Sequence, residues 1–472
     1  MLTFVSRERE TPTKRPADER RSDFDEIYLS FTEERAELQA SRCSQCGVPF
    51  CQHHCPLGND IPDWLRLVAE GRLEEAYALS AATNNMPEVC GRICPQDRLC
   101  EGSCVIEQSG HGTVTIGSVE TYITEKAFEN GWVPPIRPEV ERTETVGIIG
   151  AGPAGLAAAE ELRSEGFGVV VYDRYDRAGG LLIYGIPNFK LEKSVVERRT
   201  ERLRDGGVEF QLNFDVGRDA TLDELRSKHD AILIATGVYK ARALECPVDA
   251  DAGLVPALDY LTASNRRGLG DDVVDNLGVA KDKSVVVIGG GDTAMDCVRT
   301  AVRQGASSVR CLYRRDRANL PGSQREVAHA EEEGVVFEWL SAPKSVIRGR
   351  VAAMRMRLGD ADESGRRRPE LVPGSERDLE AGLVIAALGF EPEDLQTIFG
   401  EPALAVTRRG TLKVDGATLE TSLPGVYAAG DIVRGASLVV WAIRDGRLAA
   451  ASISARLKQA ACGALTTSIA AE

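Results

Sequence analysis

The chain has 472 residues, 43% of them hydrophobic and 27% charged, with a formal net charge of −15. That length exceeds one hydrophobic core and predicts roughly three domains, while the acidic balance argues against a nucleic-acid surface and against anionic membranes. No apolar run approaches the ~18 residues of a membrane span, and the opening MLTFVSRERETPTKRP has no continuous apolar stretch after its basic residues, so it does not read as a secretory signal and the cytoplasm is the expected compartment.

Residues 1 to 40 are charged and mixed in sign, with Pro12 and Pro16 early. They read as an extended arm leading into a short helix, either lying on another surface or frayed. Eight of the twelve cysteines then fall between Cys43 and Cys104, while Cys246, Cys297, Cys311 and Cys462 are scattered and read as small buried hydrophobes. In a large cytosolic chain that concentration predicts a metal site or a cluster rather than disulfides. Cys43, Cys46, Cys51 and Cys55 precede Pro56; after a helical stretch from Trp64 to Ser80 come Cys90, Cys94, Cys100 and Cys104. Zinc ribbons favour two CxxC pairs, and only Cys43 and Cys46 have that spacing. The run CxxCx4CxxxCP instead matches the bacterial ferredoxin pattern apart from a longer middle gap, and in that pattern the fourth cysteine serves the other cluster. Spacing therefore favours iron–sulfur over zinc and would by itself count Cys90 among the ligands. His53 and His54 read as solvated or packing residues.

Gly117 to Asn130 reads as a helix, with Ile116, Val119, Ile123 and Phe128 spaced for one face. Gly131 to Arg142 is proline-rich and polar, a linker, so a first domain is expected to end at residue 144. The strand Val146–Ile149 then runs into Gly150-Ala-Gly152-Pro-Ala-Gly155, an alanine-rich helix follows, and a second strand ends on Asp173. This is GxGxxG inside a complete βαβ unit: Gly150 for the tight turn, Gly152 for close approach to a pyrophosphate, Gly155 for helix–strand packing, and Asp173 for a ribose hydroxyl. Gly179-Gly180-Leu181 is either a loop or backbone lying against a bound ring. Ala231 to Gly237 is a buried strand ending in a small-residue turn.

A second unit opens at Ser284. Gly289-Gly-Gly291-Asp292-Thr293-Ala294 fits GxGxxA, and its second strand ends on Arg314 and Arg315 where the first unit has Asp173. A guanidinium pairs with a 2′-phosphate that a carboxylate would repel, so this unit reads as built for NADP(H); the bland alternative is a solvated strand end. Leu383 to Gly389 repeats the pattern of 231–237, which fits one domain inserted into another, the chain crossing out near 240 and back near 388. Gly430-Asp431 ends a further strand, followed by a helix through Ala451.

Two dinucleotide units behind a cysteine domain resemble the flavin reductases with two dinucleotide domains. The stretches QASRCSQCGVPFCQ (39–52), CPLGNDIPDWLRL (55–67), CGRICPQDRLCEGSC (90–104) and RGASLVVWAIRDGR (434–447) are similar to the small (beta) subunits of NADPH-dependent glutamate synthase, with wider similarity to the matching segment of dihydropyrimidine dehydrogenase and to ferredoxin–NADP transhydrogenase subunits. The resemblance spans residues 20 to 455. It implies a helical iron–sulfur domain (1–144), an FAD-binding Rossmann-like domain in two parts (145–242 and 388–455), an inserted NADPH-binding domain (243–387) and a tail (456–472). It implies one 4Fe–4S cluster on Cys43, Cys46, Cys51 and Cys104, and a second on Cys55, Cys94, Cys100 and Glu120, leaving Cys90 structural. FAD falls to Gly150, Gly152, Gly155, Asp173, Gly180, Leu181, Lys190, Gly237, Gly430 and Asp431, and NADPH to Gly289, Gly291, Asp292, Thr293, Arg314 and Arg315. Asp173 departs slightly from the family, where Glu is commoner. The resemblance further implies hydride transfer from NADPH to FAD, single electrons through the clusters, and an FMN-containing large subunit as partner that forms L-glutamate from glutamine and 2-oxoglutarate. No Ser-His-Asp or Cys-His constellation stands out, the opening Met1-Leu2 offers no glutaminase cysteine, and no eightfold βα pattern suggests an FMN barrel. The other reading of the same chemistry is a ferredoxin-type reductase with a different acceptor.

Overall fold

Two parallel five-stranded sheets place the two glycine-rich turns at the C-terminal ends of their central strands. The computed structural model describes residues 3–273, 278–361 and 367–469. The first sheet runs Val426–Ala428, Ala231–Ile234, Thr145–Ile149, Gly168–Asp173, Glu209–Leu212. Apart from the edge strand Glu209–Leu212, which is exposed to half-buried, its strands are short apolar runs buried on both faces, as parallel sheets require. The order reverses beside Thr145–Ile149, and at such a switch point the crevice beyond the strand ends is where α/β sheets bind ligands.

The chain leaves this sheet after Ile234 and returns at Val426. In between it builds the second sheet, in the order Leu254–Pro256, Leu383–Ala386, Ser284–Ile288, Ser308–Leu312, Val336–Glu338. An antiparallel sheet of Ser341–Ile347, Gly349–Ala361, Arg367–Leu371 and Arg377–Ala381 extends it. The outgoing and returning segments pair with each other, Lys240–Ala241 against Phe390–Glu391.

The N-terminal part is helical: Glu33–Ala40, Ile61–Ala69, Leu73–Thr83, Pro87–Ile93 and Ile116–Glu129. The stretch expected as one helix from Trp64 to Ser80 is two. Gly71 takes φ +72°, and Gly71 N–H and Arg72 N–H bond back to Val68 O and Leu67 O, a Schellman stop that only a residue without Cβ accommodates cheaply. Trp64, Leu65, Val68, Val119 and Ile123 form a core around which the cysteines are arrayed. Phe128, expected on the same face, instead lies under the Arg198 guanidinium at 4.0 Å. At the other end, Val439–Ile469 is one helix, so it continues well past Ala451 into the span expected as a tail; the alanine-rich sequence favours that. Of the scattered cysteines, Cys297 and Cys311 are buried and Cys246 is half-buried; the Cys462 side chain lies outside the described residues.

The arm lies on other surfaces. Arg20 is fully buried, its guanidinium on Glu332 and within 3.3 Å of Glu333. Phe24 packs on Phe189, and Glu26 pairs with Arg92 at 2.7 Å. Between the helical part and the first sheet's helices, Arg199 makes two hydrogen bonds to Glu88, at 2.6 and 2.8 Å, with both side chains buried.

Candidate active site

The first glycine turn holds three glycines for three different reasons. Gly150 sits at φ +112°, where a Cβ would stand 2.4 Å from Ala235 O. At Gly155 a Cβ would stand 2.0 Å from Gly150 O, so helix Pro153–Ser164 packs directly on the turn. A Cβ on Gly152 would meet nothing within 4 Å: that face is open to the cleft. Asp173 braces the turn, its Oδ2 accepting from Ala151 N–H at 2.6 Å and its Oδ1 from Tyr175 N–H at 2.8 Å. Burial pushes its carboxyl above the usual range, against the pull of those two N–H groups. Gly180, at φ +54°, would place a Cβ 2.9 Å from Gly152 Cα, so the Gly179–Gly180 turn lies against the first glycine turn itself.

The cleft over this turn encloses about 1470 Å³ including its open mouth, and it is walled by both sheets' units. Gly150, Gly152, Asp173, Leu181, Lys190, Gly237 and Asp431 line it from one side, and Asp292 and Thr293 from the other. Thr236 on its floor keeps a buried Oγ1 without a partner. Lys190 Nζ reaches across to Asp296 Oδ1 at 2.9 Å and Glu326 at 3.8 Å, both from the second unit. Burial alone would lower the ammonium's pKa, but Asp296, Glu326 and Asp292 raise it instead, so Lys190 stays charged. Asp296 itself is pushed up to about 6, burial outweighing the lysine. Burial likewise lifts Asp431 to about 7. A narrower branch of the cleft is walled by Tyr172, Arg174, Tyr175, Phe214, Tyr239 and Glu393, with Arg174 held on Glu393 at 2.9 and 3.0 Å.

The cysteines ring two further pockets. Cys43, Cys46, Cys51 and Cys104 line one, with Leu65, Ile106 and Val114 among its apolar walls. Cys55, Cys90, Cys94, Cys100 and Glu120 line the other. All eight are free. Burial pushes the Cys43 and Cys55 thiols up to about 11 and Cys51 to about 12. Among the described residues no three Cys, His, Asp or Glu side chains converge as one metal ion demands; the thiols surround their pockets without closing on a point. His53 and His54 are exposed and line neither pocket.

Residues 20–132 match the family described as dihydropyrimidine dehydrogenase domain II, 4Fe–4S cluster, and residues 144–446 match the pyridine nucleotide-disulphide oxidoreductases. A glutamate synthase (NADPH) small chain of Azospirillum brasilense is 65% identical over 466 residues, 97% of this chain and 96% of that one. The chain belongs to the glutamate synthase (NADPH) small-chain family. The Escherichia coli K12 small chain is 47% identical over 95% of this chain and 97% of its own. Among solved structures, Mycobacterium tuberculosis FprA in complex with NADPH aligns with a TM-score of 0.57 at 20% identity, over 68% of this chain and 86% of that one, a likeness of fold. As a member of the small-chain family the protein is an NADPH-dependent oxidoreductase, with an iron–sulfur domain ahead of its flavin-reductase units.

Not every residue singled out in the small-chain sequence reaches the cleft. Gly155, Gly180 and Gly430 lie beneath its surface, and Gly430 would place a Cβ 3.0 Å from Ala154 Cβ. The second turn repeats the first: Gly289 at φ +151° would put a Cβ 2.2 Å from Ala387 O, Gly291 is open, and Ala294 is buried. Arg314 is exposed and Arg315 half-buried beyond the strand end; no carboxylate among the described residues pairs with either. Asp296, Glu326, Arg325, which also lines the cleft, and the aromatic branch went unrecognised in the sequence. Tyr172, Arg174 and Tyr175 adjoin Asp173, Tyr239 follows Gly237 by two residues and Asp296 follows Thr293 by three, all usable signals. Arg325 and Glu326 come from a distant segment and carried none.

Proposed function

We propose that this chain is the electron-input subunit of a glutamate synthase, oxidising NADPH and delivering electrons to a separate FMN-containing large subunit that forms L-glutamate from glutamine and 2-oxoglutarate. FAD fits the first unit's cleft: Gly152 leaves backbone room for a pyrophosphate at the N-terminus of helix Pro153–Ser164, Thr236 Oγ1 lacks a partner, and the aromatic branch suits a flat ring. The thiol-rich donor sets of the two pockets suit iron–sulfur clusters, one on Cys43, Cys46, Cys51 and Cys104 and one on Cys55, Cys94, Cys100 and Glu120. When bound, flavin and clusters supply hydride acceptance from NADPH and one-electron carriage.

The chain's own residues do the rest. The Gly289–Thr293 turn seats the NADPH pyrophosphate, while Arg314 and Arg315 take its 2′-phosphate. Lys190, fixed by Asp296 and Glu326, sets a positive charge between the two units that wall the cleft. The division into residues 1–144, 145–242 with 388–455, and 243–387 belongs to the same reading, as does a cytoplasmic location.

The observation that carries the proposal is one stretch of backbone. Ile93 and Pro95 line the cleft, while Cys94 between them lines the pocket with Glu120. Val439 and Val440 are split in the same way, and Ile116 walls both thiol pockets. Cleft, Glu120 pocket and Cys43 pocket thus adjoin in series, which supports an electron path in that order. Anaerobic capture of the chain from its native extract tests the reading. A co-eluting large subunit, with NADPH oxidation that requires both glutamine and 2-oxoglutarate, supports it. Oxidation only with ferredoxin or an artificial acceptor keeps the reductase and removes the partner.

A further inference from the structure

We infer that Ser80 and Asn84 are positioning residues for Glu120. The inference rests on the cluster reading above and concerns how the one oxygen donor of that pocket is aimed.

Glu120 is buried on helix Ile116–Glu129, in the wall it shares with Cys55, Cys94 and Cys100. Its Oε1 accepts from Ser80 Oγ at 3.2 Å and from Asn84 Nδ2 at 3.5 Å. Its Oε2 accepts no hydrogen bond from the described residues. Two donors on one carboxylate oxygen fix the plane of the group and leave the other oxygen for the pocket.

The Asn84 amide could be drawn either way round, but its surroundings decide. Met86 N–H can only donate, and it lies 3.0 Å from Asn84 Oδ1, so Nδ2 must face Glu120. Cys90 Sγ lies 3.8 Å from the same Oδ1. Cys90 also lines this pocket.

Ser80 is fixed in turn. Its carbonyl accepts from Asn59 Nδ2 at 3.1 Å, and Asn59 Oδ1 accepts from Trp64 Nε1 at 2.7 Å, with Trp64 fully buried. Asn59 stands four residues after Cys55. The frame that places a thiol thus also places the donors on the carboxylate. An oxygen ligand among soft thiolates depends on such support, because outer partners set both its orientation and its basicity.

The test uses the full chain purified anaerobically, with iron content, the electron paramagnetic resonance of the reduced protein, and the rate of iron loss to a chelator. Flavin content and circular dichroism identify any variant that fails to fold. In the wild type, iron for two clusters and two signals are expected, with Glu120→Ala altering one signal. Ser80→Ala and Asn84→Ala should displace that same signal, leave the other in place, and raise iron loss by about 10-fold or more. Ser80→Thr, which keeps the hydroxyl, should restore it. An unmoved signal in both Ser80→Ala and Asn84→Ala, with wild-type iron intact, overturns it and spares the cluster reading. A wild type without iron removes both.

Discussion

Glu88→Ala tests how firmly the cysteine domain is held to the flavin unit. The substitution leaves Arg199, buried and hydrogen-bonded to Glu88 at 2.6 and 2.8 Å, charged and without that partner. Breaking one side of a buried pair costs about 3–5 kcal/mol, most of it the stranded charge. At about 1.4 kcal/mol per decade, the undocked population of helix Pro87–Ile93 should rise roughly 100- to 4000-fold. Native-state hydrogen exchange of amides in that helix reads the change directly, with strand Ser284–Ile288 as the internal reference. The same helix leads into the Ile93–Cys94–Pro95 wall, so NADPH oxidation by a small acceptor drawing at the flavin should persist while cluster reduction slows. Glu88→Gln, which keeps the shape and part of the hydrogen bonding, should lie between. Wild-type exchange and wild-type cluster reduction in Glu88→Ala would refute the reasoning, because the ion pair would then not be what docks the two parts.

Replacing Arg314 and Arg315 by neutral residues should weaken NADPH by about 1.5–3 kcal/mol per lost charged hydrogen bond and NADH far less, read as the ratio of kcat/KM for the two; equal losses sink the 2′-phosphate assignment. Gly150→Ala should cost stability and flavin together, since its Cβ would stand 2.4 Å from Ala235 O at φ +112°, whereas Gly152→Ala, with open space around it, should keep the fold and lose flavin. Visible absorbance per chain beside the thermal midpoint separates the two cases. Lys193 is buried against Leu182 O and Ile186 O, and burial lowers its pKa to about 7. Its folded value lies below the unfolded one, so the unfolded chain binds more protons between these values and stability should rise with pH above 7. Relative to Lys193→Met, the wild type should gain about 2–3 kcal/mol from pH 7 to 9, followed by denaturant unfolding; a pH-independent difference argues against a buried, depressed lysine.

What the sequence makes legible is whatever local geometry forces. Gly150, Gly155 and Gly289 are written into the turns because a Cβ would collide with backbone, so a short motif finds them without any tertiary knowledge. The stop at Gly71 was equally local, yet the apolar periodicity on both sides hid it. Glu326 was invisible for the opposite reason: it reaches the cleft from a distant segment, and nothing nearby in sequence marks a carboxylate that will meet Lys190. Asp296 stands only three residues after Thr293, but that it turns toward Lys190 depends on the two units packing together. The cysteine spacing announced a cluster domain but by itself counted Cys90 among the ligands, because nothing in it marks a carboxylate. Ser80 and Asn84 are neighbours in sequence, but they meet Glu120 only once helix Leu73–Thr83 has packed on helix Ile116–Glu129.

Arg20 has a consequence for how the chain is made. Its charge is buried against Glu332 and Glu333, about three hundred residues downstream. At roughly 5–20 residues per second of synthesis, some 15–60 seconds pass between the appearance of this arginine and that of its counter-charges. Through that interval the cysteine helices can assemble and Glu26 can meet Arg92, but Arg20 has no counter-charge. Its burial therefore waits for the inserted unit, and the first sheet closes later still, when Val426–Ala428 is made.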